Sequence, residues 1–450
     1  RSRFQIPRGE LYQEMLAFTL ENKKTVEHQF RKLGASCDWS REKFTLDPEI
    51  VEQVQKTFIQ MYKDGLIYRE ERLVNWCVKH QTALSDLEVK HIEQKDPLYY
   101  MKYGPFTLAT VRPETKFGDT ALAVNPEDKR YKSYIGKEIE AEGLLGKFKI
   151  KVIADEAVDP KFGTGVVKVT PAHDFNDFEM GLRHNLERKQ VIDRYGKLNN
   201  STNRYYGLKI EEARKKVAED LDKKGLLEKI DENYSHSVAV CYKCGRQLEP
   251  LLLPQWWVKM KPLAEPAIKA VEGGEIKYYP DRFRKITLHW LENIRDWNIS
   301  RQITWGVGIP AYFNITDPAN KEASLIFDKR LTITEEQASK LDSGWLVYDQ
   351  DKDLGLSHIQ GASFEAIALM VKKEFKTWQQ IKELLVDINT EKCKNFILTT
   401  DSNKIPESAI QDPDVFDTWF SSGQWPYLTL GFKDSEGESH DMKNFYPTDV

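Results

Sequence analysis

Two hydrophobic rhythms divide the chain. Up to about residue 97 the apolar positions recur at helical spacing. Val51, Val54, Phe58 and Met61 share one face of a helix predicted to open at Asp47-Pro48, an N-cap followed by proline at the first helical position, and to close at Gly65. From Leu98 the period shortens. The runs YYMKYG, FTLATV, TALAV, KFKIKVI and GVVKVT predict closely spaced short strands, as in a small barrel or mixed β domain. A helix with Ile210, Ala213, Val217 and Leu221 on one face follows and ends at Gly225. Past Cys241 the chain turns aromatic: PQWW, LHWLENIRDW, QITWG. Residues 314–410 offer three helical patterns, ITEEQASKL, FEAIALMVKKEF and WQQIKELLVDI, and no chemical motif.

Length and charge narrow the reading. A chain of 450 residues is too long for one ordinary core and predicts two or three domains. Its composition, 40% hydrophobic and 30% charged, is that of a soluble globular protein, and no apolar run approaches the roughly 18 residues of a membrane span. The net charge of −4 leaves no global basic field, so any nucleic-acid contact must be local. The chain opens Arg-Ser-Arg without methionine or signal peptide, which suggests a fragment. Five scattered cysteines argue for a reducing compartment rather than a disulfide framework.

Candidate chemistry concentrates in GTGVVKVTPAHDFNDFE, residues 163–179. Asp174 can cap a helix starting at Phe175, with Asp177 three residues on and Phe178 and Leu182 facing inward. That accounts for the segment as a well-capped helix. It is equally one wall of a polar pocket, in which Asp174 and Asp177 accept from an ammonium, His173 is nearby, and Lys168 and Thr170, two apart on a strand, form the facing wall. TVRPET places Arg112 and Thr115 where a strand meets a turn forced by Pro113, a pattern that also fits a solvated turn. Cys77-x-x-His80 and Cys241-x-x-Cys244 together supply four ligands with the knuckle spacing of a closed structural zinc site; the other reading is buried free thiols and an exposed His80. Such a site would pin the two ends of the strand-rich segment at modest entropic cost. The tryptophans at 256–257, 290–297, 305, 419 and 425 suit either a core or an apolar pocket.

Taken in order, TVRPET, GTGVVKVTPAHDFNDFE, PQWWVKMKPLAEPA, HWLENIRDWNISRQ and DVFDTWFSSGQWP resemble the middle of the valyl branch of the class I aminoacyl-tRNA synthetases, over residues 1–313 and 410–450. Isoleucyl relatives share the layout but usually carry a TPWT-like segment in place of RPET and lack the PAHDxxD form. The resemblance implies an α/β multi-domain protein: an incomplete, split Rossmann-type catalytic domain with an inserted, β-barrel-like α+β editing domain. The expected division is 1–97 helical connective and catalytic part, 98–238 editing domain, 239–313 return to the catalytic domain with the zinc knuckle, 314–410 an insertion, and 411–450 a further catalytic part.

The implied function is ligation of valine to tRNA(Val) with ATP and Mg2+ in the full-length enzyme, and in this stretch hydrolysis of mischarged Thr-tRNA. Threonine is nearly isosteric with valine, and valyl enzymes illustrate how weakly an apolar pocket rejects an added hydroxyl. By resemblance, Asp177 holds the α-ammonium, Asp174 supports it and reads the threonine hydroxyl, and Lys168, Thr170, Arg112 and Thr115 line the pocket and hold the terminal adenosine. His173 is a candidate base weighed below a positioning role. Trp305 and Trp419 match positions lining the amino-acid pocket. Neither a HIGH-like nor a KMSKS-like motif is present, and WGVGIP replaces the usual WGHRIP. With one cysteine in 314–410, no second zinc is expected. The partners implied are tRNA(Val), valine and threonine, with no membrane, for a cytoplasmic monomer. Two alternatives stand beside this: an isoleucyl-type fragment, and a non-catalytic tRNA-binding module with a decayed pocket.

Overall fold

In the computed structural model, the described residues are 6–314, 324–328, 347–351, 356–360, 385–389, 393, 395–406, 409–431 and 439–446. The architecture is mixed α/β with several separate sheets. Two compact units divide the chain: Arg1–Arg69 with Trp256–Val450, and Glu70–Gln255.

The first unit begins with helices α1 (Arg8–Lys32) and α2 (Pro48–Lys63). The apolar stripe of α2 buries Ile50, Val54 and Phe58 against Trp256, Ile299, Val307 and Phe416. Phe58 meets the rings of Trp256 and Phe416 at 5.1 Å each. Asp47 holds the N-cap position, but its carboxylate accepts from the upstream Phe44 N–H (2.8 Å) rather than from the helix, so Pro48 and the backbone start this helix.

In the second unit, β1 (Ile67–Cys77, from Glu70) turns into β2 (Thr82–Leu84). The runs seen in the sequence become β3 (Val89–Tyr103), β4 (Phe106–Thr110), β5 (Ala121–Val124), β7 (Gly146–Ala154) and β8 (Val166–Val169). Strands β1 and β2, and the start of β3, lie within the stretch to residue 97 expected to be helical, and β6 (Glu138–Gly143), whose polar positions are all glutamate, also went unpredicted. Register explains β6: Glu138, Glu140 and Glu142 stand opposite Lys151, Lys149 and Lys147 of β7, while Ile139, Ala141 and Ile150 point into the core. Helices α3 (Phe175–Arg183) and α4 (Ile210–Lys223) follow, then β9 (Leu227–Cys241) and β10 (Glu249–Val258). Ala213, Val217 and Leu221 of α4 pack on Met101, Leu108 and Leu122.

The sheets β4-β3-β9 and β6-β7-β5-β8 are both open, with β5 and β7 parallel, and no closed barrel forms among the described residues. The edge strand β8 runs four residues and stops short of Pro171, which has no N–H to continue a ladder. Two further expectations change. Leu182 on α3 is 54% exposed rather than inward, whereas Phe178 is buried as expected. Residues 385–388, the end of the last helical pattern, instead lie in a strand (Leu385–Asn389) of the four-stranded sheet of 347–351, 356–360, 324–328 and 385–389. The other two patterns, 333–341 and 364–375, lie outside the described residues. No helix among the described residues is long and apolar enough to cross a membrane.

Candidate functional site

The second unit gathers the polar residues of both motifs around the start of α3. Asp174 caps the helix: one carboxylate oxygen, Oδ1, accepts from the N–H groups of Asn176 (2.8 Å) and Asp177 (3.1 Å). Asp177 Oδ2 reaches back to accept from the Thr170 N–H (2.8 Å), locking helix to strand. Each aspartate therefore commits one oxygen to backbone and keeps the other, Asp174 Oδ2 and Asp177 Oδ1, without a described partner. Asp174 is exposed and Asp177 is buried. Burial and the neighbouring Asp174 push the Asp177 carboxyl up to about 7, against the opposing pull of Lys168.

The facing wall is a directed chain of donors. Lys168 Nζ donates to Thr115 Oγ1 (2.9 Å) and Thr170 Oγ1 (2.5 Å) and lies 3.3 Å from Asp119. Thr170 in turn donates to Asp119 (2.8 Å), and Thr115 donates to the Arg112 carbonyl (3.0 Å). Asp119 accepts on its far oxygen from the buried Tyr103 hydroxyl (2.5 Å).

Arg112 is nearly saturated. Its Nη2 binds both oxygens of Glu249 (2.7 and 2.8 Å), Nε binds Glu114 (3.1 Å), and Nη1 reaches the His173 carbonyl (3.3 Å). Each of its three nitrogens thus has at least one acceptor. Arg214 binds the other side of Glu114 (3.0 and 3.1 Å), so four charges alternate through the interior. Burial alone would raise Glu249, but Arg112 and His173 outweigh it and hold the carboxyl below its usual range. Burial opposes the charge on Arg112 too, and Glu249 and Glu114 overcome it.

His173 is buried with both ring nitrogens directed into protein. Nε2 accepts from the Val191 N–H (2.9 Å), so the proton sits on Nδ1, which lies 3.4 Å from Glu249 and makes no hydrogen bond. Burial lowers its pKa, opposed by Glu249. The imidazole has no lone pair turned toward an open pocket.

Cys77, His80, Cys241 and Cys244 also converge, with ligand atoms within 4.8 Å of one another. Cys77 Sγ lies 3.4 Å from His80 Nδ1 and 3.7 Å from Cys244 Sγ, and Cys241 Sγ lies 3.6 Å from His80 Nδ1. Each pair sits on a tight turn closed by a backbone bond, Gln81 N–H to Cys77 (2.7 Å) and Gly245 N–H to Cys241 (2.8 Å). Gly245 at φ +67° supplies the left-handed residue that the second turn needs.

Trp305 and Trp419 belong to the other unit. Trp305 is half-buried with its ring 5.7 Å from Tyr12, and Trp419, in the short helix Thr418–Ser422, is 63% exposed. Sequence reasoning passed over Asp119, Glu114, Arg214 and Glu249. Asp119 follows directly on RPETKFG and could have been weighed with it. Glu249 stands 137 positions from Arg112, and no local pattern marks it.

The family model described as tRNA synthetases class I (I, L, M and V) matches residues 1–450. The chain is 43% identical over 431 residues to a valine--tRNA ligase of Petrotoga mobilis, covering 94% of this chain and 40% of that protein. It is 40% identical over 456 residues to a valine--tRNA ligase of Thermotoga maritima, covering 100% and 44% respectively. The chain thus spans about two fifths of the length of the curated relatives it matches.

Proposed function

Since the chain belongs to the class I tRNA synthetases of the I, L, M and V type, we propose that it is part of a valine–tRNA ligase and that the second unit is its editing domain, hydrolysing Thr-tRNA(Val). The observation that carries this reading is the pair of uncommitted carboxylate oxygens, Asp174 Oδ2 and Asp177 Oδ1, beside a wall of hydroxyls. Such a site welcomes an ammonium and a hydroxyl together, which a valine side chain cannot satisfy.

In the reaction, Asp177 binds the α-ammonium and Asp174 supports it and accepts from the threonine hydroxyl. Thr115, Thr170 and Lys168 orient the terminal ribose, and Arg112 lines the pocket beside them. A water adds to the ester carbonyl carbon. The bond to the ribose oxygen breaks, that oxygen takes one proton of the water and leaves as a hydroxyl, and threonine leaves as its carboxylate with the other proton released to solvent. The site contributes placement rather than a covalent nucleophile. His173, tied to Val191 and facing Glu249, acts as a positioning residue. Release of threonine from Thr-tRNA(Val) and its loss in Asp177→Ala test the assignment.

The first unit is read as part of a split Rossmann-type catalytic domain, with Trp305 and Trp419 lining the amino-acid pocket. It takes valine, and ATP with Mg2+, in the complete cytoplasmic enzyme, a monomer. The four-ligand cluster is read as a structural zinc site. With Zn–S near 2.3 Å and Zn–N near 2.0–2.1 Å, a tetrahedron has S···S edges of about 3.8 Å and S···N edges of about 3.5 Å. The observed 3.7 Å, and 3.4 and 3.6 Å, fit those edges. Zinc there would tie the β1–β2 turn to the turn that follows β9 and leads into Glu249.

A further inference from the structure

Asp119 has no role in the reading above, yet it decides where the cation of the site goes. Lys168 lies 3.3 Å from Asp119, and it is joined to Asp177 through Thr170, whose Oγ1 it binds (2.5 Å) and whose N–H donates to Asp177 (2.8 Å). It pairs with the first. No ion pair forms at Asp177 among the described residues, and its one described partner is a backbone N–H. Asp119 is held for this task from three sides: by Tyr103 on one oxygen, and by Thr170 and Lys168 on the other. Its side chain is 1% exposed. An ammonium this deep must have a counter-ion. Were Asp119 absent, Asp177, already joined to Lys168 through Thr170, would be an anion open to it, and the site for the substrate's ammonium would be filled by the protein's own lysine.

We propose that Asp119 is a positioning residue that sequesters Lys168 and thereby keeps Asp177 vacant for the substrate's ammonium. The proposal rests on the deacylase reading for its substrate, but its electrostatic part stands on the protein alone. The charged groups acting on Asp177 are Asp174 from the cap of its own helix, Lys168 from β8, and Asp119 from the turn before β5. Losing the Asp119 charge and gaining the Lys168 charge both favour the ionised form of Asp177. Burial first, then the Asp174 charge, raise the Asp177 carboxyl to about 7, and Lys168, held at Asp119, only partly opposes them.

The test is Asp119→Asn, alone and with Lys168→Met. The carboxyl titration of Asp177 is followed by 13C NMR, its resonance assigned by its loss in Asp177→Asn. The single variant is expected to move that titration to lower pH and to raise KM for Thr-tRNA about tenfold or more, with a smaller effect on kcat. Adding Lys168→Met is expected to return the titration toward the parent, because the misplaced cation is gone; KM is read in the single variant alone, since Lys168 also orients the ribose. A merely structural Asp119 gives no such reversal. Tyr103→Phe, which removes one hydrogen bond to Asp119, should shift the titration in the same direction by less, and it serves if Asp119→Asn does not fold. An unmoved titration in both, or a shift that Lys168→Met does not reverse, overturns the proposal. A parent protein that releases no threonine overturns the deacylase reading, and the titration still decides the role of Asp119.

Discussion

Asp177→Asn should stabilise the protein while disabling it. Asparagine keeps the shape of aspartate and can still accept from the Thr170 N–H, so the joint between β8 and α3 survives. What changes is the charge. The folded carboxyl titrates near 7, about three units above its unfolded value. A folded pKa raised in this way favours the neutral form. Its contribution is fully present below about pH 4 and is lost as the pH rises through 7. At 1.36 kcal/mol per unit, ionising Asp177 in place costs on the order of 4 kcal/mol by pH 8. The neutral amide of the variant would never bear that cost. Urea denaturation at pH 4 and pH 8 should show the variant equal to the parent at the lower pH and more stable by a few kcal/mol at the higher. Deacylation should fall at least tenfold above pH 7, where the parent carboxyl is ionised, because a neutral amide holds an ammonium more weakly than a carboxylate does. Equal stability of the two proteins at pH 8 would refute the reasoning, since it would mean that Asp177 is not a buried, unpaired carboxylate.

Two further outcomes follow from the same geometry. Glu249→Ala removes one partner of a buried bidentate pair and strands Arg112, which should cost about 3–5 kcal/mol in urea denaturation, while Glu249→Gln, keeping one acceptor, should cost less. Cys241→Ser should lower the zinc content from one ion per chain, as measured by atomic absorption, and a chelator should reproduce the resulting loss of order around the β9–β10 turn by hydrogen exchange.

Much of this fold was legible because it is written in local rules. The predicted strands of the second unit show as short apolar runs, α4 follows its 3.6 period to Gly225, and Asp174 caps α3 as its position suggests. Some of the misses share one cause: partners distant in sequence. Glu138, Glu140 and Glu142 make a strand because lysines face them across the ladder. Leu182 looks like a core residue until the packing of α3 leaves it outside. The candidate site divides the same way. Its two walls are visible as motifs, but what each group can do depends on Glu249, Glu114 and Asp119. These engage most of the donors of Arg112 and, with the two threonines, fix Lys168 in the site wall, and with the fold they turn His173 inward.

The central claim is that the Asp174–Asp177 pocket removes threonine, and not valine, from tRNA(Val). Hydrolysis of Thr-tRNA(Val) and Val-tRNA(Val), measured side by side on this protein, tests it most directly. The account predicts rapid release of threonine, little release of valine, and loss of the difference in Asp177→Ala. Equal release of both amino acids, or tRNA bound with neither released, would contradict it.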